Sequence, residues 1–370
     1  MRDKREYQPD SYLLYENRFY QIRIRVELKE EIDSDILASA VNRAIKRYPY
    51  FSVKVKLENG EYILEKNERP VCVSKTTDGV PALGSDRVNN HLVSVDYLDR
   101  YIYFNMSHAL AGACGINEWV KTNIYEYVSE KYNIFPDTTG IIMVGTPLTD
   151  GETAYPDYEK LPDLKPYGAY KKGSGYTPED DYIEALRNGI CDICYCIEID
   201  QKDLMTYVKT KDATPAVILS VLMYKALTNV FPDKDEPIVC GIVQNMRDQL
   251  GCKNSYHDMT RIVNIRYTPN MADFPIDRLG TITRGMLMLQ SQPENSIYDM
   301  RKLIEWHSEI DKQKTLRSKR ILCAQNDKHT DYFLGDIDTD SNNAKVYIPY
   351  IKSIYPCAAN DKHNNRVKAS

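Results

Sequence analysis

The sequence lacks any apolar run that approaches the roughly 20 residues needed to span a bilayer. Its first residues, MRDKREYQPD, are charged, and no apolar segment typical of a secretory signal follows them. It has no excess of positive charge either, because 48 Lys and Arg residues face 53 Asp and Glu residues, a net charge of −5. We therefore expect no membrane span and no signal peptide, and the charge does not favour a broad nucleic-acid-binding surface.

The cysteine pattern of a disulfide scaffold or a zinc site is also missing. The nine cysteines are an odd number and are scattered along the chain. The one C-x-x-C pair, Cys191 and Cys194, lies in a strand-like segment, where residues three apart point to opposite faces. No second pair completes a tetrahedral site. We expect reduced thiols in a cytoplasmic protein, and no metal.

Phenylalanine is scarce, with 7 residues against 29 tyrosines, which suits half-buried strand faces and clefts that are wet at one end. Alternation of polar and apolar residues predicts a strand over 20–29 and a hairpin around Asn59-Gly60. A helix follows the first strand, with Asp33 or Ser34 as its cap. Two further strands flank Leu98-Asp99-Arg100.

The length of 370 residues indicates two or three domain-sized units, or two large ones. Residues 146–181 are rich in Pro, Gly, Asp and Lys and show little periodicity, so the boundary is placed there. The predicted division is an N-terminal half over 1–150, a crossover over 151–185, a C-terminal half over 186–356 and a disordered tail over 357–370.

One histidine stands at the end of a predicted strand. Ser107-His108 closes the strand, small residues follow through Gly115, and a long amphipathic helix comes next. Glycine and alanine allow the close approach of backbone and ligand, and an imidazole titrates near working pH. Alone, His108 is as well explained by a hydrogen-bonded structural role as by a catalytic one.

The order of several elements distinguishes these alternatives. Tyr48-Pro49, the strand ending in His108, the Pro-rich crossover, Thr214-Pro215 and the strand ending in 244–247 (QNMR) follow one another along the chain. This order resembles the chloramphenicol acetyltransferase-like superfamily, which includes condensation domains of peptide synthetases and bacterial alcohol acetyltransferases. The resemblance implies an α/β fold with two related halves in a V around a central tunnel.

The family motif H-H-x-x-x-D-G falls on this sequence with departures. Its second histidine is His108, its first is replaced by Ser107, and its D-G pair falls on Gly112 and Ala113. The motif aspartate is therefore absent.

A second family segment matches at Asn245 and Arg247, where the arginine usually pairs with the motif aspartate. Because that aspartate is missing, we expect Arg247 to be solvated or paired elsewhere, with Asp248 as one candidate.

The resemblance implies transfer of an acyl group from acyl-CoA, such as acetyl-CoA, to a small-molecule alcohol or amine, with His108 as general base. Two alternatives stay open: a degenerate member that binds a ligand or protein, and a condensation-like enzyme that uses a thioester on a free acyl carrier protein. Motif-supporting residues are Ser107, Gly112, Gly115, Asn245 and Arg247. Backbone N–H groups near Gly115 are candidates for binding an anion or oxyanion.

Other charged residues have weaker claims. His257 lies in the polar segment GCKNSYHDMTR and is interpreted as a surface residue. Lys253 and Arg261 are expected in a solvated loop, with contact to coenzyme A phosphates as the alternative. Members of this group usually continue further at the C-terminus, so the resemblance leads us to expect either a truncated C-terminal half or a tunnel that is built differently.

Overall fold

The computed structural model describes residues 21–76, 81–167, 175–176, 193–211, 213–232, 235–326, 332–334, 351–357 and 363–368. These residues form a mixed α/β fold, which confirms the predicted class. The helices are α1 (Ser34–Ala44), α2 (Ala113–Tyr132), α3 (Gln201–Thr210), α4 (Pro215–Val230), α5 (Ile276–Gln290), α6 (Pro293–Asp311) and α7 (Leu316–Asn326). The strands are β1 (Gln21–Leu28), β2 (Val53–Glu58), β3 (Glu61–Lys66), β4 (Val73–Lys75), β5 (Val93–Leu98), β6 (Tyr101–Ser107), β7 (Ile193–Glu198), β8 (Ile238–Asn245), β9 (Thr260–Tyr267), β10 (Tyr332–Leu334), β11 (Ile351–Cys357) and β12 (His363–Lys368).

The predicted strands and helix of the first 107 residues form as expected. Asp33 caps α1, and its carboxylate accepts from the N–H groups of Asp35 and Ile36 at 3.1 Å. Asn59 and Gly60 join β2 to β3 with φ values of 53° and 79°. Positive φ at both turn residues matches the right-handed twist of a two-residue hairpin.

A five-stranded sheet in the order β11-β1-β6-β5-β4 carries the strand with the candidate histidine. Strand β6 is the central member and pairs antiparallel with β1 and β5. Its residues Phe104 and Met106 are fully buried, and the Phe104 ring meets the edge of Trp119 on α2 at 5.5 Å. This packing fixes the end of β6 and the start of α2 relative to each other.

A three-stranded sheet in the order β10-β8-β9 forms a second layer. Strands β8 and β9 are antiparallel, and Asn245 lies opposite Thr260. Residues 246–259, termed the β8–β9 loop, therefore leave and re-enter this sheet at one end. Helices α4 and α5 pack on the sheet and bury Val221 and Leu279.

The later segments differ in part from their sequence interpretation. The described part of the crossover contains short 3₁₀ turns at Asp150–Glu152 and Tyr158–Lys160, and residues 168–174 and 177–192 lie outside the described ranges. Strand β11, from the predicted C-terminal half, pairs antiparallel with β1. Strand β12 lies in the tail for which disorder is predicted, and it pairs in parallel with β7. These backbone hydrogen bonds account for order that the polar composition does not predict.

Within the described ranges, no single helix is long and apolar enough to cross a membrane, and α3 with α4 meets that requirement only as a pair bent by 85°.

Candidate active site

His108 directly follows β6. The backbone around it is fixed, because the Ser107 N–H donates to the Leu92 carbonyl at 2.9 Å and the Ser107 carbonyl accepts from Leu110 at 3.0 Å. The His108 side chain is 32% exposed, whereas its Nδ1 atom is shielded from solvent. The exposed part of the side chain therefore lies away from Nδ1.

The small residues after His108 leave space that the β8–β9 loop occupies. A Cβ atom on Gly112, the N-cap of α2, would lie 2.7 Å from Asp258 Oδ1. A Cβ atom on Gly115 would lie 2.3 Å from the Tyr256 carbonyl oxygen. The sequence suggests space for a ligand here, but at both glycines the β8–β9 loop fills it. The Gly115 N–H donates to the Gly112 carbonyl at 3.0 Å, so that N–H is not available as the expected anion donor.

Asp258 brings a carboxylate to His108, and the sequence analysis missed it. Its Oδ2 atom lies 3.6 Å from His108 Nδ1, and the Asp258 side chain is 29% exposed. Its Oδ1 atom accepts a hydrogen bond from the Thr260 hydroxyl at 2.9 Å. The two carboxylate oxygens are thus divided between a histidine of the first sheet and a threonine at the start of β9.

Arg247 fixes the course of the β8–β9 loop. The residue is 2% exposed, and its Nε donates to the Ser255 carbonyl at 2.8 Å. A terminal nitrogen donates to the His257 carbonyl, and the other donates to Asn245 Oδ1 at 3.2 Å. Within the described residues Arg247 forms no ion pair with a carboxylate. Arg247 is therefore neither solvated nor paired with Asp248, the two outcomes expected from the sequence, and its guanidinium instead binds two backbone carbonyls and the Asn245 amide.

The interpretation of His257 as a surface residue is wrong. It is 8% exposed, and its ring lies 4.1 Å from the Tyr256 ring and 5.3 Å from the Tyr155 ring. Burial, together with a smaller effect of the nearby Arg247 charge, lowers its pKa to about 4 against an opposing hydrogen bond with the Thr153 backbone. His257 is therefore neutral near pH 7 beside the Arg247 guanidinium.

Through Tyr256, the β8–β9 loop packs into the hydrophobic core that lies against the five-stranded sheet. The Tyr256 N–H donates to the Glu152 carbonyl at 2.9 Å. The Glu152 carboxylate in turn pairs with Arg47 at 2.7 Å, with both side chains at least 92% buried. Burial raises the pKa of the Glu152 carboxyl, but hydrogen bonds from Arg47 and Thr149 outweigh it, and the net shift is downward. Glu152 lies in the predicted crossover, where sequence alone gives no sign of a buried acid.

The remaining motif-supporting residues have distinct environments. Asn245 ends β8, and its amide nitrogen donates to the thiol of Cys114, in the first turn of α2, at 3.6 Å. Asn245 therefore bridges the start of α2 and Arg247. Ser107 is fully buried, and its hydroxyl has no hydrogen-bond partner within the described part of the chain.

Lys253 and Arg261, the two residues considered for contact with coenzyme A phosphates, have different environments. Lys253 is exposed, as expected for a solvated loop. Arg261 is not in a loop: it lies on β9, is 6% exposed, and pairs with Asp299 at 2.7 Å. Its guanidinium thus serves the packing of β9 against α6.

The described ranges hold no group of three or more His, Cys, Asp or Glu side chains suited to a metal ion. What the site offers is a partly exposed imidazole with a carboxylate behind Nδ1. The distance of 3.6 Å is too long for a hydrogen bond, but the negative charge of an ionised carboxylate at this place favours the proton on Nδ1 and the lone pair on Nε2. Such an imidazole is suited to take a proton from an approaching hydroxyl.

No family model matches the sequence, and no curated protein matches it either. Solved structures similar to this chain include F. graminearum TRI101 complexed with coenzyme A and T-2 mycotoxin, with 13% identity over 85% of this chain and 77% of that one and a TM-score of 0.48. The first condensation domain of the calcium-dependent antibiotic synthetase shares 10% identity over 78% and 73%, with a TM-score of 0.47. Polyketide synthase associated protein 5 from Mycobacterium tuberculosis shares 13% over 76% and 70%, with a TM-score of 0.47.

Proposed function

We propose that the protein is an acyltransferase that moves an acyl group from a thioester, acyl-CoA or acetyl-CoA, to the hydroxyl of a small-molecule acceptor. One observation carries the proposal: His108 is 32% exposed at a strand end while its Nδ1 atom is shielded and lies 3.6 Å from a carboxylate. A general base needs a ring that the acceptor can approach and a carboxylate that orients its other nitrogen, and this arrangement provides for both.

The proposed reaction uses neutral His108 as general base. Nε2 takes the proton of the acceptor hydroxyl as its oxygen attacks the thioester carbonyl carbon. The new C–O bond forms, the tetrahedral intermediate collapses, and the C–S bond breaks. His108 then returns the proton to the leaving thiolate, so the imidazole ends neutral. This scheme needs neither a covalent enzyme intermediate nor a metal.

The proposal includes the arrangement that the sequence resemblance implies. The halves over 1–150 and 186–356 flank the site, and donor and acceptor reach His108 from opposite sides. Ser107, Gly112, Gly115, Asn245 and Arg247 support the loops around the base. This division is supported by the position of His108 on the first sheet and of Arg247 beside the second.

The test compares the wild-type protein with His108→Ala and with His307→Gln, a histidine substitution on α6. Thermal unfolding is followed with and without acetyl-CoA and longer acyl-CoAs. A ligand at about one hundred times its dissociation constant adds about 2.7 kcal/mol to the stability of the native state. Release of free thiol is then measured with a panel of alcohols.

We expect the wild type and His307→Gln to release thiol in an alcohol-dependent manner and His108→Ala to lose at least about a hundredfold in rate. If no acyl-CoA stabilises the protein and no thiol is released, the acyl-CoA proposal fails. The same assay with an acyl carrier protein thioester then decides between the condensation-like enzyme and the non-catalytic binding module.

A further inference from the structure

We propose that Asp258 supplies the carboxylate that position 112 lacks and acts as a positioning residue for His108. The catalytic part of this inference rests on the acyl transfer proposed above. The contact itself does not, because it is a property of the folded chain.

A side chain at position 112 and the Asp258 carboxylate would occupy the same space. A Cβ atom on Gly112 would lie 2.7 Å from Asp258 Oδ1 and 3.1 Å from its Cγ atom. A carboxylate grown from residue 112 would therefore enter the space that the Asp258 carboxylate occupies. The chain holds an acid at this place, but delivers it from the β8–β9 loop, and glycine at 112 is the residue that leaves room for it.

The role of this carboxylate differs from that of an arginine-paired aspartate. Within the described residues, Arg247 donates to backbone carbonyls and to Asn245 and not to Asp258. Asp258 Oδ2 instead faces His108 Nδ1 at 3.6 Å. A side-chain rotation that closes this gap to about 3 Å makes a hydrogen bond. With its proton held on Nδ1, His108 presents the Nε2 lone pair to the acceptor, and the carboxylate stabilises the imidazolium that forms.

The carboxylate is held in place from three sides. The Thr260 hydroxyl donates to Oδ1 at 2.9 Å, which leaves Oδ2 for the histidine. Arg247 fixes the preceding backbone through the carbonyls of Ser255 and His257. Tyr256 rests against Gly115 and donates its N–H to Glu152. Base and acid come from segments about 150 residues apart, so they meet only when the β8–β9 loop is docked on α2.

The first experiment reads the tautomer of His108 by ¹⁵N NMR, with the signal assigned from a His108→Gln variant. We expect an Nδ1-protonated ring in the wild type and a changed tautomer balance in Asp258→Asn. This result supports the pair even if no acyl transfer is found, in which case only the proposed function fails. An identical tautomer balance in the wild type and Asp258→Asn overturns the inference.

The second experiment measures kcat and KM with the thioester donor. Asp258→Asn should lower kcat by roughly 10²- to 10⁴-fold and leave both KM values within about threefold. Asp258→Glu, which keeps the charge, should recover part of that loss. A general structural role would not produce this split between kcat and KM. If Asp258→Asn keeps a kcat within about threefold of wild type, the inference is wrong.

Two further variants keep the test informative if Asp258→Asn does not fold. Thr260→Val removes only the hydroxyl that orients Oδ1, and should lower kcat by about tenfold. Gly112→Asp alone should unfold or lose activity, because its side chain meets Asp258. Combined with Asp258→Gly, it should regain folding, since Gly112 has φ −82°, a value open to any residue. No recovery in the double variant contradicts the shared volume.

Discussion

The rings of Tyr50 and Tyr256 stack with centroids 4.1 Å apart and planes within 2° of parallel. Tyr50 lies just after α1, whereas Tyr256 belongs to the loop that carries Asp258. The Phe51 ring meets Tyr256 edge-on at 5.4 Å, so the loop is seated on an aromatic cluster. The position of the candidate acid relative to the candidate base therefore depends on this interface.

Gly115→Ala should disrupt that interface. The new methyl group would lie 2.3 Å from the Tyr256 carbonyl oxygen. Because this oxygen belongs to the backbone, no side-chain rotation can relieve the clash, and the loop itself has to move. We expect a loss of roughly 1–3 kcal/mol in the free energy of unfolding, measured by urea denaturation. If acyl transfer is found, its rate should fall as well, because Asp258 shifts with the loop.

The matched control is Gly285→Ala in α5, where a Cβ atom would meet nothing within 4 Å. Alanine is favoured over glycine in a helix by up to about 1 kcal/mol, so this variant should be as stable as the wild type or more stable. Equal effects of the two substitutions would show that the loop does not press on Gly115.

Arg47→Met should destabilise the protein by roughly 3–5 kcal/mol, because it leaves the Glu152 carboxylate buried without its partner. The control is Arg43→Met on the neighbouring turn, whose ion pairs with Glu126 and Glu130 are partly exposed and should contribute about 1 kcal/mol or less. Urea denaturation at pH 7 compares the two. Similar losses of unfolding free energy in both variants would contradict a larger contribution from the buried Arg47–Glu152 pair.

Strands β1, β5 and β6, helix α1 and the β2–β3 hairpin could be predicted from the sequence because their signals are local. Alternation marks β1, β5 and β6, Asp33 caps α1, and Asn59-Gly60 specifies a hairpin turn that no distant contact needs to support. The position of His108 at a strand end follows from the same alternation.

The partners of His108 could not be predicted in this way. The segment GCKNSYHDMTR is polar, and polarity in a turn normally indicates solvent. Here the buried Arg247 side chain holds the loop against the protein by donating to backbone carbonyls. Every residue has such a carbonyl, so the sequence gives no sign of these contacts. The absence of an aspartate at Gly112 was visible in the sequence, but its replacement by Asp258 depends on a contact between segments about 150 residues apart.

His257 should make the protein less stable as the pH falls below 6.5. Its pKa is lowered by burial from 6.5 to about 4 in the folded state. Between these values the unfolded chain binds a proton that the folded chain does not, so stability rises with pH over this window. At pH 4.5 the loss relative to pH 7 should be about 2–3 kcal/mol from this residue.

The measurement is the difference between the wild type and His257→Gln in urea denaturation at several pH values. Other histidines contribute to both proteins, including His307, whose pKa desolvation also lowers to about 4, so their effect cancels in the difference. Glutamine can keep a hydrogen bond with the Thr153 backbone but does not titrate. The two stability curves should therefore converge as the pH falls from 6.5 to 4.5. Parallel curves would mean that His257 gains its proton in the folded state as easily as in the unfolded one, which is incompatible with a buried ring beside Arg247.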